Sequence, residues 1–284
     1  MVTERVPSQV GDNSRVRLIM RPPSDALRRA LSAHPERDRI DPARARREHA
    51  DYVAAIEATG VPVTVLSVEP GQADACFTWD TVLAFARVGG GPTVLLVAAR
   101  PGEASRRPEV ASVLACARGI APSAEVMEIA APGTLDGGDI IVYGRRVAIG
   151  ISARTNEAGA RQLAAAVQRV GYQAFLCPVD DRLHLASAVT PIRAMRLIGT
   201  ASGFASLDAA GPEVAPDDVE RLVIPDGEVA GANVLAVGGR CFIARGSPLA
   251  AEALRHAGES VVEVELDEFL RADGGPTCLV APVP

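Results

Sequence analysis

Short apolar runs recur along the whole chain, and this feature restricts the possible folds most strongly. The runs are rich in Val, Ile, Leu and Ala and have the length of β-strands. They cover residues 16–20, 61–68, 82–86, 94–98, 140–143, 147–151, 197–199, 233–237, 241–244, 261–266 and 278–281. Helical patterns lie between groups of them, at residues 41–59, 107–116, 156–170 and 248–257. The sequence therefore predicts an α/β fold with two or three strands to each helix.

Glycine-containing turns join several of these predicted strands. Tyr-Gly-Arg-Arg at 143–146 and Val-Gly-Gly-Arg at 237–240 can each supply the positive φ that a tight hairpin needs. Neighbouring strands are therefore expected to be antiparallel. A repeating module of roughly fifty residues explains the pattern better than two unrelated domains. The sequence lacks the Gly-x-Gly-x-x-Gly fingerprint of a dinucleotide-binding sheet, so no nucleotide cofactor is predicted.

Composition and charge exclude several classes of protein. The chain has 284 residues, of which 48% are hydrophobic and 23% charged, so it can bury enough apolar surface to fold. A net charge of −6 provides no basic field for nucleic acid or an anionic membrane. No apolar run approaches the ~20 residues of a membrane span. Residues 1–14 are interpreted as a polar tail and 15–284 as a single domain; without a signal-peptide pattern, a cytoplasmic location is expected.

The cysteine pattern predicts neither a disulfide framework nor a structural metal site. The cysteines are odd in number, scattered, and without CxxC or Cys/His metal spacing. They are Cys76, Cys116, Cys177, Cys241 and Cys278. For the first four the sequence indicates no role.

Three segments place reactive side chains close to predicted strand ends. They are Leu-Asp-Gly-Gly-Asp at 135–139, Leu-His-Leu-Ala-Ser at 183–187 and Asp-Gly-Gly-Pro-Thr-Cys at 273–278. Taken singly, each has an ordinary structural interpretation, as a hairpin turn, a core histidine and a small buried thiol. Their order along the chain, a carboxylate, then a histidine, then a cysteine, favours a nucleophilic enzyme instead.

With Ser-Ala-Arg-Thr-Asn at 152–156 added, the sequence resembles the dimethylarginine dimethylaminohydrolases from about residue 18 to residue 280. This family belongs to the guanidino-modifying superfamily, together with arginine deiminases and amidinotransferases. The resemblance implies a five-bladed α/β propeller of pseudo-fivefold ββαβ modules. It also implies hydrolysis of N-omega-methylated arginines to citrulline and a methylamine through a covalent cysteine thiouronium, without a metal or organic cofactor. A homodimer is left open.

The resemblance assigns roles to individual residues. Cys278 corresponds to the nucleophile, His184 to the general acid/base and Asp136 to the carboxylate beside them, while Arg106 and Arg154 correspond to the pair that holds the substrate α-carboxylate. The other expected substrate contacts are Leu27 on a mobile loop, Asp74, Trp79, Asp80, Ala272 through its backbone, and Asp273. These types fit the chemistry, because carboxylates bind a planar guanidinium bidentately and a thiolate is a strong nucleophile.

Several alternatives stay open at this point. Arg106 could be an exposed basic residue beside Arg107, Arg154 could flank a helix cap, and Asp74 could be a loop acid. The family usually has Glu where this chain has Trp79, which either fills core space or offers an aromatic face to an alkylated cation. A different guanidino hydrolase, an amidinotransferase, or a non-catalytic binding protein on the same fold are the competing functions.

Overall fold

The computed structural model describes residues 16–90 and 94–284, so the predicted polar tail lies outside the described residues. Within these residues the chain forms fifteen strands and six α-helices. The strands are β1 (Arg17–Met20), β2 (Val63–Val65), β3 (Val82–Ala86), β4 (Val94–Ala98), β5 (Glu125–Glu128), β6 (Ile140–Tyr143), β7 (Arg146–Ile151), β8 (Gln173–Pro178), β9 (Val189–Arg193), β10 (Arg196–Thr200), β11 (Glu220–Ile224), β12 (Leu235–Val237), β13 (Arg240–Ala244), β14 (Val261–Val264) and β15 (Ala281–Val283). The helices are α1 (Pro42–Glu57), α2 (Glu109–Ile120), α3 (Glu157–Arg169), α4 (Ala201–Ala209), α5 (Pro248–His256) and α6 (Asp267–Leu270).

The strands form five three-stranded sheets with one common topology. In the sheet of β3, β4 and β5, the middle strand is antiparallel to β3 and parallel to β5, and α2 makes the crossover. The sheets β6-β7-β8, β9-β10-β11 and β12-β13-β14 repeat this arrangement with α3, α4 and α5. The predicted five-bladed propeller of ββαβ modules is therefore confirmed. The expectation of antiparallel neighbours is correct for the hairpins but wrong for each third strand, because a helical crossover returns the chain in the same direction.

The remaining sheet joins distant parts of the chain. Strand β1 is parallel to β2 and antiparallel to β15, with Leu18 opposite Pro282. Helix α1 connects β1 to β2, so this sheet has the same topology as the other four, although its first strand comes last in sequence. Pairing of β15 with β1 thus closes the ring of modules.

Five apolar clusters hold neighbouring modules together. One contains Phe85 of β3, Val97 of β4, Ile140 of β6 and Ile149 of β7, with Leu163 of α3 against them. The other four clusters bridge the remaining pairs of adjacent modules in the same way. Because each cluster is shared, a module buries its apolar faces only when both neighbours are present.

Side-chain caps define where three of the helices begin. Asp41 accepts a hydrogen bond from the Ala43 amide before α1, and Asn156 accepts one from Gly159 before α3. Thr200 does the same for α4 through the Gly203 amide at 3.1 Å. Such caps satisfy amides that have no partner inside the helix. In the described residues, no helix combines the length and apolar character needed to cross a membrane.

A 3₁₀ turn precedes the first strand of every sheet, and we call these five segments the leading turns. They are Thr78–Asp80 before β3, Gly137–Asp139 before β6, Leu185–Ser187 before β9, Asp226–Ala232 before β12 and Thr277–Leu279 before β15. The turn before β3 lies against the turns before β15 and β6, and the turn before β9 lies against the turns before β6 and β12, so the five turns gather at one end of the propeller. Side chains on or beside them therefore meet, although they are far apart in the chain.

Candidate active site

A cleft of about 350 Å³, its mouth included, opens where the leading turns meet, and we call it the central cleft. Cys278, His184 and Asp80 line it together with Arg106 and Arg154. Two larger grooves lie elsewhere, one beside Asp208 and Arg221 and one between α1 and β14. Neither of those grooves is lined by a described Cys or His, so chemistry rather than size identifies the central cleft as the candidate site.

His184 and Asp136 form the buried acid–base pair of the cleft. Nε2 of His184 lies 3.3 Å from Oδ2 of Asp136, and the other carboxylate oxygen accepts a hydrogen bond from the Gly102 amide at 2.9 Å. The Asp136 amide donates to Thr155 Oγ1 at 3.1 Å. Asp136 is thus held on both sides, and its carboxylate fixes the orientation of the imidazole.

A second carboxylate supports the segment after His184. Oδ1 of Asp139 accepts a hydrogen bond from the Leu185 amide at 3.1 Å, while Oδ2 accepts one from Ser152 Oγ at 2.7 Å. Ser152 Oγ in turn accepts from the Arg154 amide at 3.0 Å. Burial raises the pKa of Asp139 to about 6, although the nearby His184 acts to lower it. Asp139 therefore connects the histidine segment to the Arg154 segment.

The electrostatic surroundings keep His184 protonated. Burial alone disfavours the imidazolium, but Asp80, Asp136 and Asp139 overcome it and raise the pKa of His184 to about 9. Buried carboxylates act strongly because little water screens them. At neutral pH the ring is a cation that can donate a proton.

Three contacts position the segment that carries Cys278. The hydroxyl of Tyr52, on α1, donates to the Pro276 carbonyl at 3.1 Å. Oδ1 of Asn233 accepts hydrogen bonds from the amide of Thr277 at 2.9 Å and from its hydroxyl at 3.0 Å. Cys278 is partly accessible from the cleft, yet burial by surrounding atoms and the negative charge of Asp80 raise the pKa of its thiol.

Asp80 and Arg106 form a buried ion pair. Nη1 of Arg106 lies 2.6 Å from Oδ2 of Asp80, and Oδ1 of Asp80 accepts from the Gly138 amide at 2.7 Å. Burial would raise the pKa of Asp80, but His184 and Arg106 hold it below its usual value. Nε and Nη2 of Arg106 bond to Glu109, and Nη2 also donates to two backbone carbonyls. Arg106 borders the cleft, but most of its donors are already engaged.

Arg154 is placed differently from Arg106. It lines the cleft, and Nη1 lies 3.8 Å from the half-exposed carboxylate of Glu103. This distance allows a loose ion pair that a ligand anion can replace. Arg154 is therefore the better placed of the two arginines to bind an anionic group.

The segment from Leu31 to Ala33 covers one side of the cleft. The Leu31 amide donates to Asp74 Oδ1 at 3.1 Å, and the Ala33 amide donates to Asp273 Oδ2 at 2.7 Å. Burial raises the pKa of Asp74. Leu31 lines the cleft, whereas Leu27 lies four residues earlier, fully buried in the apolar cluster around α1. The structure therefore does not bring Leu27 to the cleft.

The other predicted contacts divide between the cleft and its wall. Ala272, Asp273 and Asp74 line the cleft. Trp79 is buried, belongs to the apolar cluster around α1, and donates its indole N–H to the Gly137 carbonyl at 2.6 Å. It is not among the residues that line the cleft, so the described cleft lacks the predicted contact between the Trp79 ring and an alkylated cation. Phe77, which the sequence interpretation missed, is the aromatic residue that lines it.

One group of side chains, of which Asp80 and His184 line the cleft and Asp136 lies buried behind it, could also hold a metal ion. A carboxylate oxygen from each of Asp80 and Asp136 and a ring nitrogen of His184 all lie within 4.8 Å of one another. The hydrogen bonds of Asp80 to Arg106 and of His184 to Asp136 compete with such a use.

The fold and the cleft define a class, the propeller enzymes that bring a cysteine, a histidine and carboxylates together in a central cleft. A family model described as N,N dimethylarginine dimethylhydrolase, eukaryotic, matches residues 21–209. The N(G),N(G)-dimethylarginine dimethylaminohydrolase of Streptomyces coelicolor is 35% identical over 267 residues, covering 92% of this chain and 94% of that protein. Its namesake in Pseudomonas aeruginosa is 31% identical, covering 84% and 88%. The chain therefore belongs to the dimethylarginine dimethylaminohydrolase family, as the sequence predicted.

Solved structures agree with this placement. A cysteine-to-serine mutant of the Pseudomonas aeruginosa dimethylarginine dimethylaminohydrolase complexed with citrulline has a TM-score of 0.84 and 29% identity, covering 94% of this chain and 98% of that one. A histidine-to-glycine dimethylarginine dimethylaminohydrolase in an adduct with S-methyl-L-thiocitrulline gives the same values. An arginine dihydrolase domain from cyanobacteria, 20% identical with a TM-score of 0.79, shares the fold.

Proposed function

We propose that the chain hydrolyses N-omega-methylated arginines to citrulline and methylamine or dimethylamine. One observation carries this proposal. The cleft combines a thiol, Cys278, and an imidazolium, His184, with carboxylates on one side and the loosely paired Arg154 on another. A methylated arginine offers the matching groups, an electrophilic guanidinium at one end and a carboxylate at the other.

Charge complementarity orients the substrate in the cleft. The carboxylates of Asp74 and Asp80 accept hydrogen bonds from the planar guanidinium, whose donors have a fixed geometry. Arg154 binds the α-carboxylate, and the backbone of Ala272 and the side chain of Asp273 border the rest of the molecule. This arrangement places the guanidinium carbon beside Cys278, which removes much of the entropic barrier to attack.

Arg106 acts mainly on Asp80 in this scheme. Its guanidinium is buried and shared between Asp80 and Glu109, so it keeps the Asp80 carboxylate ionised and fixed in direction. A carboxylate prepared in this way can receive the substrate cation without reorganising. Arg154 then carries most of the binding to the substrate carboxylate.

Binding of the cation prepares the nucleophile. In the free protein burial and Asp80 raise the pKa of Cys278, so the group is a neutral thiol at neutral pH. A guanidinium next to the sulfur offsets the charge of Asp80 and favours the thiolate, and the proton leaves to solvent. The reactive ion is thus formed chiefly when substrate is present.

The first half of the reaction forms the covalent intermediate. The Cys278 thiolate attacks the guanidinium carbon, and a new C–S bond forms. His184, a cation at neutral pH, gives its proton to the methylated nitrogen, and the C–N bond to that nitrogen breaks. The amine leaves as a neutral molecule, and the enzyme keeps an S-alkylthiouronium on Cys278. Asp136 stabilises the histidine and holds its ring towards the cleft.

The second half restores the enzyme. Neutral His184 now takes a proton from a water molecule, which attacks the thiouronium carbon. The tetrahedral adduct loses its remaining hydroxyl proton to solvent, the C–S bond breaks, and the carbon becomes the ureido carbonyl of citrulline. The sulfur leaves as a thiolate, and His184 is again an imidazolium. Water is the only co-reactant in the balance.

Steady-state kinetics tests the proposal directly. Release of citrulline and amine is measured with asymmetric dimethylarginine, monomethylarginine, arginine and agmatine as substrates. Cys278→Ser should abolish turnover, whereas Cys116→Ser, which changes a partly exposed cysteine outside the cleft, should leave it intact. Turnover of methylated arginines by the Cys278→Ser protein would refute the proposed nucleophile.

A second candidate is another guanidino hydrolase of the same superfamily. It is favoured by Trp79, which stands where the family has a carboxylate and offers only its indole N–H to a backbone carbonyl. The cleft therefore has one fewer carboxylate with which to select a substrate by the charge of its guanidinium group. Preference for arginine or agmatine in the same kinetic panel would establish this second function and overturn the first.

A further inference from the structure

Each leading turn has a polar or reactive side chain that is directed to this end of the propeller, either within the turn or directly before or after it. Four of these have been given a part in the chemistry: Asp80, Asp136, His184 and Cys278. The fifth is Asn233, which directly follows the turn Asp226–Ala232 and is buried. Pseudo-fivefold topology therefore brings Asn233 to the same end of the propeller as the catalytic groups. The side-chain amide of Asn233 has no part in the reaction steps proposed above.

Asn233 contacts the nucleophile itself as well as the segment that carries it. Nδ2 lies 3.7 Å from Cys278 Sγ, within hydrogen-bonding distance for sulfur, and 3.4 Å from the Ala186 carbonyl. Oδ1 accepts both hydrogen bonds from Thr277. A Cβ added to Gly275 would lie 2.7 Å from Cγ of Asn233, so the segment before the nucleophile packs tightly against the amide.

The hydrogen-bond donors around Asn233 fix which way its amide points. A backbone N–H can only donate, so the atom that faces the amide of Thr277 must be the carbonyl oxygen. The NH₂ group is then directed to the opposite side, towards Cys278 Sγ and the carbonyl of Ala186, which can only accept. An amide flip would place the Ala186 carbonyl, which can only accept, against Oδ1 and leave the Thr277 amide without its partner.

We infer that Asn233 is a further positioning residue of the reaction: its Nδ2–H donates to Cys278 Sγ and aims the sulfur into the central cleft. The contact to Ala186, two residues after His184, ties the sulfur to the histidine segment as well. A donor at this position binds a thiolate more strongly than a thiol, because hydrogen bonds to an ion are the stronger ones. Asn233 therefore favours the reactive form of Cys278 throughout the cycle, including the moment when the sulfur leaves the thiouronium.

The groups around Cys278 disfavour its thiolate, so a hydrogen-bond donor to the sulfur has a use there. Burial and Asp80 raise the pKa of Cys278, and the hydrogen bond from Asn233 is among the contacts that lower it. The charged groups that face the sulfur across the cleft are Asp74, Asp80, Arg106, Arg154, His184 and Asp273. Tyr52 lies behind the segment and bonds to Pro276. Substitution of Asn233 leaves all of these in place, so its effect on the thiol can be read separately.

The inference rests on the proposed function because it takes Cys278 as the nucleophile, but its test needs no substrate. Iodoacetamide alkylates the thiolate, so the alkylation rate against pH gives the midpoint of thiol ionisation. Mass spectrometry of the peptide that contains Cys278 follows this thiol apart from the other four. Asn233→Ala should raise the midpoint by about one pH unit, and Asn233→Asp by about two, because a carboxylate also repels the thiolate.

Tyr52→Phe is the matched control. It removes another anchor of the same segment, the hydrogen bond to the Pro276 carbonyl, without touching the sulfur. Its midpoint should stay at the wild-type value. If Tyr52→Phe raises the midpoint as much as Asn233→Ala does, anchoring of the segment explains the effect, and the inference is wrong.

Other outcomes are equally decisive. A wild-type midpoint in both Asn233 variants overturns the inference. If Asn233→Asp does not fold, Asn233→Ala decides alone, since it adds no buried charge; if neither folds, Asn233 supports the architecture rather than the sulfur. Failure of methylarginine turnover in the wild type would remove the proposed substrate but leave the alkylation result standing.

Discussion

Nε2 of His184 lies 3.3 Å from Oδ2 of Asp136, and both side chains are buried where two neighbouring modules meet. The carboxylate therefore decides the orientation of the ring and contributes to its charge. Asp136→Asn should lower kcat by about 10²-fold or more, because the acid–base step depends on a correctly held imidazole. Steady-state kinetics with asymmetric dimethylarginine checks this. Asp208→Asn, a change beside a distant surface groove, should leave kcat unchanged.

The alkaline limit of activity should follow His184. The pKa of its imidazolium is raised to about 9, mainly by Asp80 and Asp136 against the effect of burial, so the proton donor is lost as pH rises through that value. We expect kcat to fall above pH 9 and, in Asp136→Asn, to fall at a lower pH. A pH–rate profile of both proteins is the measurement. An identical alkaline limb in the two would show that another group sets it.

The same shift predicts a dependence of stability on pH. The pKa of His184 is about 9 in the folded protein and 6.5 by reference, so folding favours the protonated form. Its contribution to the free energy of unfolding is fully present below pH 6.5 and is lost between pH 6.5 and 9. Urea unfolding of the wild type and of His184→Gln at several pH values isolates this contribution. The difference between the two should shrink across that interval.

Arg154 and Arg106 should respond differently to the same substitution. Arg154→Gln should raise KM for methylarginine by about thirtyfold, since a charged hydrogen bond contributes about 2 kcal/mol. It should change little with a methylated agmatine, which lacks the carboxylate. Arg106→Gln leaves Asp80 and Glu109 buried without their cation, so it should lower stability by about 3–5 kcal/mol and reduce activity towards both substrates. Equal KM effects of Arg154→Gln on the two substrates would contradict its assignment.

Trp79→Phe should affect stability more than substrate choice. It removes the indole N–H that bonds to the Gly137 carbonyl, and an unpaired buried carbonyl costs about 1–3 kcal/mol. Tyr172→Phe is a suitable comparison, because it deletes a similar bond, to the Ala86 carbonyl, away from the cleft. Both variants should unfold at lower temperature, and the ratio of kcat/KM for methylated and unmethylated arginine should stay constant. A changed ratio in Trp79→Phe would give the ring a direct part in specificity.

Asp273 should control the mobility of the segment over the cleft. Its φ of +57° is left-handed, which Gly adopts freely, so Asp273→Gly can remove the carboxylate without backbone strain. The Ala33 amide then loses its acceptor, and its hydrogen exchange should accelerate by about tenfold. Asp273→Asn, which retains an acceptor and tolerates the same φ, should exchange more slowly than Asp273→Gly. Equal exchange in all three proteins would exclude this role.

The repeating strand pattern predicted the middle strand of every sheet, because a strand buried on both faces is continuously apolar, and it predicted both strands of the hairpins β3–β4, β6–β7 and β12–β13. The strands β5, β8, β9 and β11 escaped notice since they lie at sheet edges, where polar residues and even Pro191 are tolerated. Helix α4 was missed because its Gly- and Ser-containing sequence has little helical character; Thr200 as its cap was the available signal.

The motif around Cys278, His184 and Asp136 could be read from sequence because its residue types and order are distinctive. The direction in which a side chain points could not be read from the sequence. Leu27 and Leu31 lie in one short segment, and only packing decides that the first fills the core while the second lines the cleft. Likewise, Arg106 forms its ion pair with Asp80, which lies in the leading turn before β3. Only the fold brings these two side chains together.

The pairing of β15 with β1 has a consequence for how activity is acquired. The nucleophile lies three residues before β15, the strand that joins the ring last in chain order and makes its most distant contacts. Loop closure over such a separation is costly, so it is expected to come late in folding. A chain with the other four modules assembled would already hold Asp80, Asp136 and His184 in place, yet it would be inactive. Completion of the ring and arrival of the thiol are a single event, and appearance of activity in a refolding experiment should therefore report the final closure.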